Sequence, residues 1–189
     1  MPDGQGSDSR RTASAASSTV PPSLWPELRS DHAGEAGAVE IYRGILAVSR
    51  DPGVRRFAQQ HLATESRHLE LMQVLVPPAR RSRLLPLWRF AGRITGVLPA
   101  LFGPAAVYRT IAAVEQFVDR HYAAQVRQLG GAPAHGDLRA LLEDCRSDEA
   151  AHRDDALAHP PGRPSVVARA WARLVGVGSA VGVALARRL

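Results

Sequence analysis

Apolar residues recur at helical spacing along several stretches, and no stretch alternates with period two over a useful length. In "HAGEAGAVEIYRGILAVSR" the recurring set is Glu35, Ala38, Val39, Tyr42 and Leu46, with Asp31 as the expected N-cap and the Asp51-Pro52-Gly53 turn as the stop. A second helix is predicted over about Val54 to Leu75, with Phe57, Leu62, Glu65, His68 and Met72 along one broad face, closed by Pro77-Pro78. A third spans about Pro104 to Leu129. After the "GGAPAHG" loop a fourth covers about Asp137 to Ala158, and "HPPGRP" precedes a last one from Ser165 onward. The pattern predicts an all-α chain, and its helices carry acids on faces that otherwise read as core.

Between the second and third helices lies "RRSRLLPLWRFAGRITGVLPALFGP", too long for a tight loop and too apolar to stand in water. Its uncharged run from Ile94 to Tyr108 is broken by Pro99 and Pro104, and like the C-terminal run from Leu174 to Ala186 it falls short of the roughly 20 residues of a membrane-spanning helix. Arginines flank both segments: Arg80, Arg81, Arg83, Arg89 and Arg93 on one, Arg169, Arg173, Arg187 and Arg188 on the other. With Trp88 and Trp171 beside them, these segments are expected to lie in a membrane interface; the alternative is a bundle core covered by a dimer partner.

Composition sharpens this only in part. The 189 residues are 45% hydrophobic, enough for one domain's core, and the "MPDGQGSDSRRTASAASSTV" start lacks the apolar run of a secretory signal. Residues 1–22 are therefore expected to be a disordered polar tail, and 23–189 the folded domain. The single cysteine, Cys145, excludes an internal disulfide and a thiolate cluster, which makes a reducing compartment the default and Cys145 a small core residue. Net charge is +6 and all 24 basic residues are arginine, but with 5% aromatic residues and no zinc-finger or RNP-type pattern, nucleic acid is not an expected partner.

The chemistry lies in a repeat. Glu65 and His68 form an ExxH pair on the second helix, and Glu149 and His152 form another on the fourth. Glu35 precedes the first pair by 30 residues and Glu115 the second by 34, each on its own helix in apolar company. Residues at i and i+3 share a helix face, so each pair offers an oxygen and a nitrogen to one point in the bundle. An ionised carboxylate in a low-dielectric core costs several kcal/mol, and four together require a positive partner. Four carboxylates carry about −4, which two divalent ions return. One glutamate from each of two helices plus ExxH from each of the other two is the donor set of di-iron and di-manganese carboxylate bundles, and donors of nitrogen and oxygen without sulfur favour iron or manganese. Tyr42 and Tyr122 each lie seven residues after an isolated glutamate, where their phenols can reach a ligand or carry a proton or electron. His32, His61 and His121 are expected as supporting partners; His135 and His159 fall in loops.

Four stretches resemble the demethoxyubiquinone hydroxylase family of ubiquinone biosynthesis: "LRSDHAGEAGAVEIYRGILAVSR", "HLATESRHLELM", "RSRLLPLWRFAGRITGVLPALFGPAAVYRTIAAVEQFVDRHY" and "CRSDEAAHRDDA". The likeness runs from about Leu28 to the C-terminus. It implies a ferritin-like four-helix bundle with additional apolar interfacial helices. The family's iron ligands fall on Glu35, Glu65, His68, Glu115, Glu149 and His152, the six residues found by spacing, and its His-Tyr pair near the quinone falls on His121 and Tyr122. The chain departs from the family at Ile45, where glutamine is usual. The implied activity is a di-iron monooxygenase that uses dioxygen, with electrons ultimately from NADH, to hydroxylate the ring of a membrane-embedded polyprenylated methoxy-benzoquinol. The implied place is peripheral, at the cytoplasmic face of the cell membrane, as a homodimer or with other ubiquinone-biosynthesis proteins. Two other classes use parts of the same pattern: a ferritin-like iron-storage or ferroxidase protein, which needs no exposed apolar segment, and a non-catalytic lipid-binding helical protein, which needs no metal.

Overall fold

The computed structural model describes residues 3–159 and 166–189. Among them it has no strand and seven α-helices: α1 (Asp3–Ser18), α2 (Trp25–Val48), α3 (Pro52–Leu75), α4 (Leu85–Leu101), α5 (Pro104–Leu129), α6 (Gly136–Ala158) and α7 (Val166–Ala186). The expected all-α, ferritin-like bundle is formed by α2, α3, α5 and α6, in which α2 pairs with α3 and α5 with α6.

Local signals set the ends of these helices. Asp51 caps α3, its side chain accepting a hydrogen bond from the Val54 amide at 2.9 Å, and Pro52 begins the first turn, where a missing N–H costs nothing. Gly103 and Gly130, at φ 95° and 59°, bracket α5 in a backbone region that only glycine enters freely. The start of α2 differs from the expectation. Trp25, Pro26 and Glu27 open the helix, which leaves Asp31 in its second turn rather than at its N-cap. Buried there, Asp31 accepts hydrogen bonds from other helices instead of from its own amides.

The expected disordered tail also differs, since Asp3–Ser18 is helical. Its polar sequence hides the reason: the buried side chains are the small Ala13 and Ala16, which let α1 lie close against α3 and α6 beside Leu71, Leu75 and Leu142. Ser17 donates to the Leu75 carbonyl, and Arg10 pairs with Glu70.

Two apolar clusters fill the bundle. One contains Leu24, Leu28, Met72, Leu75, Leu138 and Leu142; the other contains Ile41, Ile45, Val54, Phe57, Ile111 and Val114. On α2 and α3 the acids Glu35 and Glu65 fall between residues of the two clusters, so the apolar packing itself frames a polar gap. Beside the bundle, α4 lies on α2 through glycines: a Cβ at Gly92 would collide with the Gly37 carbonyl, and one at Gly96 with that of Ile41. The Trp171 indole donates to Thr110 at 2.9 Å and Arg187 pairs with Glu27 at 2.6 Å, which fixes α7 against α5 and α2.

Candidate metal centre

All six residues singled out by spacing are buried, none more than 4% exposed. α2 supplies Glu35, α3 supplies Glu65 and His68, α5 supplies Glu115, and α6 supplies Glu149 and His152. Their donor atoms fall into two groups, each spanning at most 4.8 Å: Glu35, Glu65, His68 and Glu149, then Glu65, Glu115, Glu149 and His152. Glu65 and Glu149 belong to both, one oxygen or more facing each side. His68 Nδ1 lies 3.1 Å from Glu149, 3.8 Å from Glu35 and 4.0 Å from Glu65. His152 Nδ1 lies 2.9 Å from Glu65 and 3.7 Å from Glu149.

Whether cations fit here is tested by what the donors lack. Neither oxygen of Glu65 has a hydrogen-bond partner, nor does His152 Nδ1, although the two residues approach to 2.9 Å. Buried polar atoms are otherwise nearly always paired. Lone pairs that crowd together without a shared hydrogen are arranged for a common electrophile, and the buried carboxylate and histidine cluster is compatible with a two-metal site.

Proton affinities show the same strain. Burial, then the charges of neighbouring glutamates, raises the Glu115 carboxyl well above its ordinary value; burial does the same at Glu35, where His68 only partly offsets it. Burial also acts against the charged form of Glu149, but the nearby rings of His152 and His68 outweigh it and hold this carboxyl below the usual range. At His152 burial is outweighed by the carboxylates of Glu149 and Glu65, which push it up to about 9. The raised proton affinities of Glu35, Glu115 and His152 show how strongly the cluster calls for positive charge, and a cation bound there would compete with protons.

A second layer holds the carboxylates. Tyr42 donates to Glu115 at 2.9 Å and Tyr122 donates to Glu35 at 2.5 Å, so each phenol serves the glutamate of the opposite helix rather than of its own. His121 Nε2 lies 2.8 Å from Asp31 and 3.3 Å from Ser30, and Gln125 also donates to Asp31. His61 bonds to Asp155 at 2.8 Å and packs its ring against His152, with centroids 4.1 Å apart. His32 is buried one turn before Glu35 with Nδ1 unpartnered. His159 stacks on Tyr108, and Cys145 is buried with its thiol pushed up to about 12, as suits a core residue. Spacing did not reveal Asp31, Asp148 and Asp155, which act across helix pairs.

A cavity of about 430 Å³ opens beside the cluster. Its floor includes Glu35, Glu65, Glu115 and Glu149, and its walls are mostly apolar side chains of α2, α4, α5 and α7, Trp88 and Val118 among them, with His121 and Tyr122 at one side.

Comparison with known proteins agrees with this arrangement. The sequence profile of the family described as "Ubiquinone biosynthesis protein COQ7" matches residues 23–186. A Rhodospirillum rubrum protein named 3-demethoxyubiquinol 3-hydroxylase is 40% identical over 138 residues, covering 70% of this chain and 63% of the relative. The Dictyostelium discoideum protein named NADPH-dependent 3-demethoxyubiquinone 3-hydroxylase, mitochondrial, is 31% identical over 167 residues, covering 86% of this chain and 76% of its own. The human protein of that name is 33% identical over 136 residues, covering 70% and 63%. The chain therefore spans under two thirds of the length of the bacterial and human relatives. A profile match over most of the chain, together with relatives above 30% identity, places it in the COQ7 family of ubiquinone biosynthesis proteins.

Proposed function

We propose that the chain is a di-iron monooxygenase that uses dioxygen to hydroxylate the ring of demethoxyubiquinol, a polyprenylated methoxy-methyl-benzoquinol, in ubiquinone biosynthesis. One observation carries the reading: four buried carboxylates, clustered with the inward Nδ1 atoms of His68 and His152, line one side of an apolar cavity. Glu35, Glu65, His68, Glu115, Glu149 and His152 would hold the two irons, with Glu65 and Glu149 shared. Iron so held would supply dioxygen reduction: one oxygen atom enters the ring and the other leaves as water, with two electrons from an external reductant. The relatives' names supply the substrate. The mitochondrial relatives' names add NADPH where the sequence resemblance implied NADH; reduced nicotinamide is the donor class common to both.

The protein's own residues bind, orient and manage protons. Apolar walls from four helices exclude water from the ring. The Tyr122 hydroxyl keeps its proton directed at Glu35 and is held protonated, burial and then the Glu35 charge raising its pKa well above the ordinary value. The His121 ring lines the cavity with Nε2 fixed on Asp31. Burial works against its charge, but that bond outweighs burial and raises its pKa, so it is a proton source beside the bound ring.

A prenyl tail gains about 0.8 kcal/mol per buried CH₂ and stays in lipid, so the protein must meet it at the bilayer. Among the described residues no helix is long and apolar enough to cross a membrane. Leu87 and Phe90 on α4 and Leu174 and Val177 on α7 stand more than half exposed near the flanking arginines, as a peripheral contact requires. The proposed location is the cytoplasmic face of the cell membrane.

The test is the reaction itself. Protein loaded with ferrous iron is given a demethoxyubiquinol, dioxygen and a reductant, and the hydroxylated ring is measured by mass. Glu115→Ala and Glu149→Ala are expected to lose the product by at least a hundredfold while helix content is retained, because the two apolar clusters do the folding. No product from iron-loaded wild type refutes the activity; iron uptake into a large soluble shell without product favours the storage reading.

A further inference from the structure

The two ExxH pairs look equivalent in sequence, but their outer nitrogens are not treated alike. His68 turns Nδ1 inward and Nε2 outward, and Nε2 lies 3.0 Å from Asp148 Oδ2. The same Oδ2 accepts from Arg67 at 2.6 Å, so a carboxylate that is itself held by a cation backs this ring. A carboxylate on the far nitrogen of a ligand histidine fixes the ring and strengthens its donor atom.

His152 also turns Nδ1 inward. Among the described residues no carboxylate is hydrogen-bonded to its other nitrogen; its ring packs at 65° against the His61 ring instead. The sequence gives the reason. Asp148 immediately precedes Glu149 on α6 and serves the histidine of α3. The corresponding position on α3, immediately before Glu65, is held by Thr64 in "TESRH" against "DEAAH" on α6. Threonine is neutral and supplies no carboxylate to stand behind His152.

We propose that the two metal positions are unequal: the one formed by Glu35 and His68, backed by Asp148, binds its ion first and more tightly than the one formed by Glu115 and His152, with Asp148 acting as the positioning residue. The proposal rests on the two-metal reading above and adds an order of loading to it.

Ferrous iron alone is titrated anaerobically into the full chain freed of metal, and ions bound per chain are followed against free iron. Any second ion meets the charge of the first, so the quantity read is the ratio of the two dissociation constants across variants. Asp148→Ala is expected to weaken the tighter step about 10- to 100-fold and leave the weaker one in place, which shrinks the ratio. Asp148→Asn, which keeps an acceptor and loses the charge, is expected to fall between. Thr64→Asp, supplying the missing carboxylate, is expected to tighten the weaker step and shrink the ratio from the other side. Circular dichroism checks that each variant keeps its helices. A ratio unmoved by Asp148→Ala and Asp148→Asn, or both steps weakened by one common factor, overturns the proposal. Wild type that binds no iron instead overturns the two-metal reading on which it rests.

Discussion

His32 sits on α2 one turn before Glu35, 1% exposed, with Nδ1 unpartnered. Burial first, then the charges of Arg81 and Arg89, lower its pKa from 6.5 to about 4. A histidine held neutral in the folded state adds stability that is complete above the unfolded value of 6.5 and is lost as pH falls from there through about 4. The expected outcome is that the stability of wild type drops more steeply over that window than that of His32→Leu, by denaturant midpoints at successive pH values. Parallel curves contradict it. The contrast with the six cluster residues explains what the sequence could disclose. A glutamate among alanines and valines, as at Glu115, is legible because burying it without a cation is costly. The partners of Tyr42, Tyr122 and His68 were not, because each lies on another helix some 70 to 90 positions away.

At the scale of elements, helices with strong punctuation were readable and those without were not. Pro104 and Gly130 bound α5 where the pattern puts it, and Asp51-Pro52 and Pro77 bound α3. α1 escaped notice because its packing face is two alanines, and α2 began early because Asp31 resembles a cap while serving a tertiary role. The contact of α4 with α2 depends on missing side chains. Gly96→Ala drives a methyl into the Ile41 carbonyl and is expected to cost about 1–3 kcal/mol, read by thermal or denaturant unfolding. Gly34→Ala, where nothing lies within 4 Å of the added carbon, is expected to be neutral or to gain up to about 1 kcal/mol. Equal effects of the two changes would mean that the close approach of the helices does not govern stability.

For the whole molecule, charge and apolar exposure fall together. Phe90 in the second turn of α4 and Phe102 just past its end are 65% and 78% exposed, with Arg80, Arg81 and Arg83 before the helix and Arg89 and Arg93 within it. Binding to vesicles containing anionic lipid is expected to fall about tenfold or more for each of Phe90→Ser and Phe102→Ser, since burying such a ring is worth about 1.5–3 kcal/mol. It should also weaken with rising salt. Cosedimentation measures both, and binding indifferent to both serines would move the contact to another face. The crossed phenols carry a consequence for the bundle as a mechanical object. Glu35 and Tyr42 are separated by seven residues on α2, as are Glu115 and Tyr122 on α5, so two antiparallel rods bear marks at one common interval of about 10.5 Å. Both pairs of marks coincide at a single alignment. Sliding either rod by one helical turn would break both bonds together, so the two glutamates share one ruler, and a displacement felt at one end of the centre is reported at the other.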